Sequence, residues 1–461
     1  MALAIVLVLL VVGSLLFHFL SPWWFTSIAS NWDTMDQTVH ITFVVTGIVF
    51  VTVNLFMAWC VVKYRHRKGQ RAHYEPENKR LEWILTIVTA VGVAAMLTPG
   101  LFVWARFIDV PKDAATVEVV AQQWHWGFRL PGADGELGAT DAKLMSDTNP
   151  FGMNPADPKG RDDVLVSDPE LHLPLGRPVK LLLRSKDVLH DFAVAQFRVK
   201  MDMVPGTVTY LWFTPTKKGE YEILCEELCG IAHFAMRGRV VVDDEDGYRT
   251  WLASNQTYGA IAATAAPDLT AGAALYTPCA ACHGNSGEGN AALNAPKLAG
   301  QGGWYLQRQL HNFKAGVRGG QPNDTFGVQM VPFANLVPDE NAMRNLVAFI
   351  ATLPDRAPAT TVAGDARKGA ALYQTCAGCH GNNGQGIKAM DAPRLSGMSD
   401  WYMARQLANF KGGIRGSHHQ DLYGRQMALI TSAVADSRSI NDLVAHINSL
   451  QPAPVQVAST N

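Results

Sequence analysis

Six of the seven cysteines fall into three short patterns that suit metals. One is CEELCGIAHFAM, from Cys225 to Met236; the others are CAACH, Cys279 to His283, and CAGCH, Cys376 to His380. In the first, two thiols stand four residues apart and are followed by His233 and Met236. Thiolate, thioether and imidazole are soft donors that favour copper over hard cations. A mononuclear blue-copper site uses one cysteine, so a second thiolate suggests two bridging sulfurs holding two coppers that share an electron. Each copper then needs a terminal imidazole and a weak ligand. His233 offers one imidazole, and His190 in SKDVLHDFAV, on an earlier β-like run, offers the other. Met236 gives one weak ligand and a loop carbonyl, Glu227, the second. A disulfide, a Cys2His2 zinc site and a mononuclear copper site with a spare thiol are the competing readings; zinc has no use for Met236 and prefers different spacing.

CxxCH is an attachment signature for haem c, whose iron takes the adjacent histidine as an axial ligand. Cys279, Cys282 and His283 form one such set and Cys376, Cys379 and His380 the other. The competing reading is half of a structural zinc site, which would need two more paired ligands. The chain repeats itself here. LYTPCAACHGNSGEG at Leu275 returns as LYQTCAGCHGNNGQG at Leu372, and the 97-residue offset continues to the WY-rich helical runs. A duplicated unit of that size is a small domain rather than a solenoid repeat. The offset also selects the second axial ligand, because Met330 and Met427 stand 97 residues apart. Met343 aligns with Ile440, Met403 with Leu306 and His311 with Ala408, which demotes all three. A methionine ligand raises the reduction potential, as suits an electron carrier; a histidine or an open position is the fallback.

These residues need elements to carry them. At 461 residues the chain exceeds one core and implies several domains. Its net charge of −1 gives no bulk field for nucleic acid, and we expect no nucleic-acid partner. Three apolar stretches, residues 1–20, 39–62 and 84–107, are each near the span of a bilayer core. The first lacks a basic n-region and reads as a retained helix, a signal segment being the alternative; the other two form a hairpin. The loop between them, Lys63 to Arg80, is crowded with Lys and Arg and stays on the cytoplasmic side. Trp23, Trp24 and Trp104 fall where aromatic belts belong. Everything after Phe107 is then sent outward. Residues 116–242 carry short β-branched runs between turn residues, an all-β sandwich or barrel. Its polar stretch from Pro131 to Asp168 is a long surface loop whose length suggests ordering by a partner. Cys60 reads as packing.

The chain thus divides into transmembrane helices at 1–110 (the hairpin at 39–107), a β domain at 111–250, a linker at 251–268, helical domains at 269–356 and 357–452, and a tail at 453–461. The hairpin, β domain and CxExCGxxHxxM loop resemble subunit II of haem-copper cytochrome c oxidases. The two helical domains resemble dihaem cytochromes of the c4 type, fused as in caa3-like oxidases. The resemblance implies a cupredoxin sandwich with a binuclear copper A centre, two all-α cytochrome c domains carrying covalent haem c, and a place in the bacterial inner membrane with the metal domains in the periplasm. It implies subunits I and III as partners, lipid around the helices, and a soluble cytochrome c or a quinol:cytochrome c oxidoreductase as donor. Electrons would pass to subunit I for oxygen reduction coupled to proton pumping. Trp124 in QQWHWGF matches the family's residue where electrons enter, although aromatics are ordinary in strands and the fused domains compete for that surface. The Glu227 side chain matches a ligand to a magnesium shared with subunit I. Glu82 matches a proton-channel carboxylate, or simply complements the helix dipole. A copper A subunit of a nitric oxide reductase and a membrane carrier without catalytic partner are the alternative functions.

Overall fold

The computed structural model describes residues 1–21, 26–71, 74, 76–146 and 149–450. Trp23 and Trp24, part of the basic loop, and the tail at 453–461 lie outside the described residues.

Three helices, α1 (Ala2–Leu20), α2 (Asp33–Lys63) and α3 (Lys79–Ile108), are long and apolar enough to cross a membrane. Such helices turn most of their large side chains outward because lipid is as apolar as a core. Leu85, Leu97 and Leu101 of α3 are exposed, as is Trp104 near its end. A small seam joins α1 to α2, through Ala4, Leu7 and Ala58, with Val61 packed against them. Glu82 lies exposed in the first turn of α3, where Asn78 caps the helix by accepting from the Leu81 amide at 3.1 Å.

The alternation of β-branched and polar residues from Ala115 onward builds a two-sheet sandwich. Its strands are β1 (Ala115–Gln122), β2 (His125–Leu130), β3 (Val164–Val166), β4 (Glu170–Pro174), β5 (Val179–Ser185), β6 (His190–Val194), β7 (Val199–Met203), β8 (Thr209–Phe213), β9 (Gly219–Leu224) and β10 (Arg237–Asp243). One sheet runs β3-β2-β1-β5-β8 and the other β4-β10-β9-β6-β7. Alternate side chains such as Val179, Leu181 and Leu183 point inward, where Trp126, Phe128, Phe192 and Phe213 fill the core. The polar stretch after Pro131 is tied at two points to the interior of the sandwich. Buried Arg129 bonds Glu118 at 2.8 Å, Asp163 at 2.6 Å and the Gly138 carbonyl at 2.7 Å, since a buried guanidinium needs its donors satisfied.

The short segment before α2 is sewn onto the sandwich, a feature with no signal in composition or spacing. Ser30 bridges Pro215, the Trp32 indole donates to the Trp212 carbonyl at 3.0 Å, and Arg198 grips Asp36 with two bonds of 2.6 and 2.9 Å. The Trp212 indole in turn donates to the Arg106 carbonyl of α3 at 3.3 Å.

Helix α4 (Glu245–Ser254) leaves the sandwich. The small-residue stretch that follows contains α5 (Tyr258–Ala262), capped by Thr257 and tied to Asp163 by a 2.8 Å backbone bond from Tyr258. The first helical domain holds α6 (Leu269–His283), α7 (Gly303–Lys314), α8 (Met330–Ala334) and α9 (Glu340–Ala351); the second holds α10 (Ala366–His380), α11 (Asp400–Lys411), α12 (Leu422–Thr431) and α13 (Ser437–Ser449). The two copies cross their helices in the same way. Gly272 of α6 meets α9 so closely that a Cβ would stand 2.2 Å from the Asn345 carbonyl, and at Gly369 the gap to Asp442 would be 1.9 Å. Arg308 of the first domain bonds Asp391 of the second at 3.0 Å, while Arg405 of the second bonds Asn294 of the first at 2.7 Å. These pairs are exchanged by the 97-residue offset, so the domains face each other about a pseudo-two-fold axis.

Candidate metal centre

Strands β6, β9 and β10 are neighbours and antiparallel, so the start of β6, the end of β9 and the start of β10 meet at one end of their sheet. That end carries His190, Cys225 and Met236. The connecting loop needs Gly230, whose φ of +124° favours glycine and whose Cβ would lie 2.8 Å from Gln123 Nε2. Cys225 Sγ stands 3.7 Å from Cys229 Sγ, 3.8 Å from His190 Nδ1 and 3.2 Å from the Glu227 carbonyl oxygen. Cys229 Sγ stands 3.5 Å from His233 Nδ1 and 3.7 Å from Met236 Sδ. Each sulfur therefore has its own imidazole and its own weak donor.

The electrostatics suit a cation. His190, Cys225, Cys229 and Met236 are buried. The thiols share a hydrogen bond, which, ahead of the burial that opposes it, lowers the pKa of Cys225 and, together with burial, raises that of Cys229. The His190 Nε2–H donates to Asp187 at 2.8 Å, which turns Nδ1 toward the sulfurs. Such an outer carboxylate fixes ring orientation at metal sites. Both cysteines are free, and the donor set fits a copper pair: two sulfur bridges, two imidazoles, a thioether and a carbonyl.

The helical domains enclose a continuous cavity of about 300 Å³. His283 and Met330 line it from one domain, His380 and Met427 from the other. The His283 Nδ1–H donates to the Pro296 carbonyl at 2.8 Å and that of His380 to Pro393 at 2.7 Å, leaving Nε2 for a ligand. Burial lowers the pKa of both imidazoles, so each stays neutral, as ligation requires. Arg318 and Arg415 are buried on the cavity wall, each with an Nε atom that lacks a hydrogen-bond partner among the described residues. Cationic walls fit the carboxylates of two haems. His311 is half-exposed and pairs with Glu340 at 3.2 Å, and Met343 lies in the core.

Trp124 is buried between these two regions. Its indole N–H donates to the Cys229 carbonyl at 3.2 Å, beside a 2.7 Å bond from Gln123 Nε2. On its other side lies the CAGCH turn: a Cβ on Gly378 would be 3.1 Å from the Trp124 ring and 3.1 Å from Ile231. Gln426 Nε2 donates to the Trp124 carbonyl at 3.0 Å, and Cys379, Met390, Leu429 and Ile430 pack on the sandwich core. The second helical domain, not the first, abuts the cysteine loop.

Sequence reasoning missed several supports. Asp187 stands three residues before His190, and Pro296 and Pro393 stand thirteen after the motif histidines, so spacing alone held a signal for them. Asp355, inside the stretch joining the two domains, had none. It accepts from Lys297 Nζ at 2.6 Å and from Arg394 Nη1 at 2.6 Å, the residues that follow the two anchoring prolines.

Residues 115–244 match the model of the cytochrome c oxidase subunit II periplasmic domain, and residues 269–354 and 366–451 each match that of cytochrome c. The alternative cytochrome c oxidase subunit 2 of Bradyrhizobium diazoefficiens is 55% identical over 261 residues, 57% of this chain and 94% of that protein. The cytochrome c oxidase subunit 2 of Cereibacter sphaeroides is 29% identical over 223 residues, 45% of this chain and 72% of the relative. The solved cytochrome c4 of Pseudomonas stutzeri is 28% identical, covering 40% of this chain and 100% of its own, with a TM-score of 0.33. With its oxidase-type sandwich and two cytochrome c domains, the chain belongs to the cytochrome c oxidase subunit II family.

Proposed function

We propose that this chain is the electron-input subunit of a haem-copper terminal oxidase in a bacterial inner membrane. It takes electrons from a cytochrome c donor and delivers them to subunit I, where oxygen reduction is coupled to proton pumping. His190, Cys225, Cys229, His233, Met236 and the Glu227 carbonyl would hold a binuclear copper A centre. Cys279 and Cys282 would bind one haem c covalently, with His283 and Met330 offering donors to its iron; Cys376, Cys379, His380 and Met427 would hold the other. When bound, these groups supply one-electron redox couples, and the protein supplies their fixed surroundings.

The observation that carries this reading is the position of Trp124. One indole touches the CAGCH turn on one side and the Cys229 carbonyl on the other. A buried aromatic wedged between two donor sets keeps water out and holds their separation constant. Rigid mounting continues outward, since Asp187 orients His190 and proline carbonyls orient both motif histidines. The second helical domain therefore stands between the first and the copper ligands, and the input order is first domain, second domain, sandwich. The basic loop between α2 and α3 and the three apolar helices support a periplasmic side for the metal domains. The Glu227 side chain would reach a magnesium at the boundary with subunit I, and exposed Glu82, at the opposite, cytoplasmic end of α3, would serve as a proton-channel carboxylate.

Purification of the complex in mild detergent, with metal analysis and pyridine-haemochrome spectra, tests the proposal. We expect two coppers and two haems c per chain, together with non-c haem from subunit I. A Cys225–Cys229 disulfide, a single zinc, or an isolated chain without oxidase partners would overturn it.

A further inference from the structure

The internal duplication lets one domain act as a guide to the other. In the second domain, the face around Cys379 is covered by the sandwich: Met390, Leu429 and Ile430 pack on its core, and Tyr423 Oη donates to the Ser167 carbonyl at 3.1 Å. In the first domain the corresponding residues, 97 positions earlier, are Leu293, Pro332, Phe333 and Phe326. All four are exposed, whereas their partners in the second domain are half-buried. Leu293 is 48% exposed, Phe326 39%, Phe333 37% and the neighbouring Val328 51%. Leu293, Phe326 and Phe333 also line the cavity that holds Cys282 and Met330, so they ring its mouth.

Isolated exposed apolar residues are ordinary, but a cluster around the mouth of a redox cavity marks an interaction surface. Its occupant follows from three observations. The same face in the duplicate is seated on another redox domain. The cavity is continuous from this face to the second domain, which abuts Trp124, so the face is the free end of an existing series of interfaces. Finally, residues 325–337 and 289–296 contain no Asp, Glu, Lys or Arg, while their counterparts contain Arg425, Lys388 and Asp391. On the covered face Asp391 stands 3.6 Å from His125 of the sandwich; the segments of the free face bring no charge of their own, and Arg405 of the second domain stacks on Phe326 at 4.2 Å.

We propose that the ring formed by Leu293, Phe326, Val328 and Phe333 is the docking surface for the external electron donor, a redox protein whose own cofactor edge is apolar and uncharged. The inference rests on the electron-input reading above. It also places Trp124 out of the donor's reach, because the second domain covers it. Docking is then driven by apolar burial and depends little on salt, since Debye screening acts on charges.

The test uses the intact complex carrying Val328→Glu, which lies on the ring but off the cavity wall, and Val328→Ser as a milder variant. Two reduced soluble c-type cytochromes serve as probes, one with an uncharged apolar haem edge and one with a lysine-ringed edge; a small-molecule mediator reduced by ascorbate bypasses docking. In the wild-type complex we expect the KM for the apolar probe to change less than about twofold between low and physiological salt. In Val328→Glu it rises by about tenfold or more, as for loss of central interface contacts, with a smaller rise for Val328→Ser. Mediator-driven turnover and haem content stay at wild-type values. An unchanged KM in Val328→Glu, with mediator turnover intact, overturns the docking surface and leaves the electron-input reading standing. Preference for the lysine-ringed probe with a steep salt dependence overturns the stated partner chemistry. Failure of mediator-driven turnover in the wild-type complex overturns the electron-input reading and this proposal with it.

Discussion

Gly378 makes the sharpest test of how the second domain meets the sandwich. It lies in α10, where alanine is ordinarily better than glycine by about 0.5–1 kcal/mol. The contact pulls the other way: a Cβ would stand 3.1 Å from both the Trp124 ring and Ile231. Crowding of that kind costs about 1–3 kcal/mol. Gly378→Ala should therefore weaken docking by about 1–3 kcal/mol, roughly five- to 150-fold in the contact equilibrium, since the helix preference is the same docked or undocked. Gly378→Leu directs three further carbons into the same ring and should part the surfaces. The position equivalent to Gly378 in the first domain is Ala281, which is exposed, and Ala281→Leu serves as the control. The assay is flash reduction by a photoreductant, followed by time-resolved electron arrival at the cysteine centre. We expect graded slowing from Ala to Leu at position 378 and a native rate for the Ala281 variant. A native rate in Gly378→Leu would refute the claim that this contact is the route.

Two further outcomes follow from the supporting shell. Asp187→Asn should weaken copper retention about 10–100-fold, the usual effect of losing an outer carboxylate, read by chelator competition; unchanged retention would show that His190 needs no such guide. Asp355→Ala should cost about 1–3 kcal/mol in denaturant unfolding followed by circular dichroism. It strands Lys297 and Arg394, whose side chains are only 1% and 8% exposed, but both keep carbonyl acceptors, which tempers the cost of breaking a buried pair. Burial pushes the Asp355 carboxyl up, and the bonds from Lys297 and Arg394 outweigh it, holding it below the ordinary range. Its stabilisation is thus present above the ordinary carboxylate pKa and fades as pH falls through the depressed one. The gap between wild type and variant should close in acid, and a gap that widens there would contradict the assignment.

Much of this arrangement is visible in the chain before any folding is considered. The 97-residue offset pairs Cys279 with Cys376 and Met330 with Met427, and a periodic signal of that kind survives because both copies must bury similar helices. The β pattern is equally plain, since alternation along β5 maps directly onto inward and outward faces. What the sequence hides is the choice of which copy meets the sandwich. That choice is carried by single differences, Gly378 against Ala281 and Tyr423 against Phe326, which acquire meaning only when Trp124 is seen on the other side. Asp355 is hidden for a related reason: it sits among Pro and Arg residues that read as punctuation, and its two partners come from loops about 40 and 60 residues away on either side. The ordered stretch after Pro131 shows the same limit, because one interior arginine, Arg129, organises it from outside its own span.

The stitching of the segment before α2 has a mechanical consequence. Trp32, Asp36 and Arg198 fasten one transmembrane helix to the sandwich, and Arg106 with Trp212 fastens the next. A domain hung on a single peptide tether would wander over the bilayer surface. Two separate anchor points instead forbid swivelling, so any tilt of the hairpin is transmitted to the cysteine loop, and the height of that loop above the lipid is set by covalent and hydrogen-bonded hardware within this one subunit.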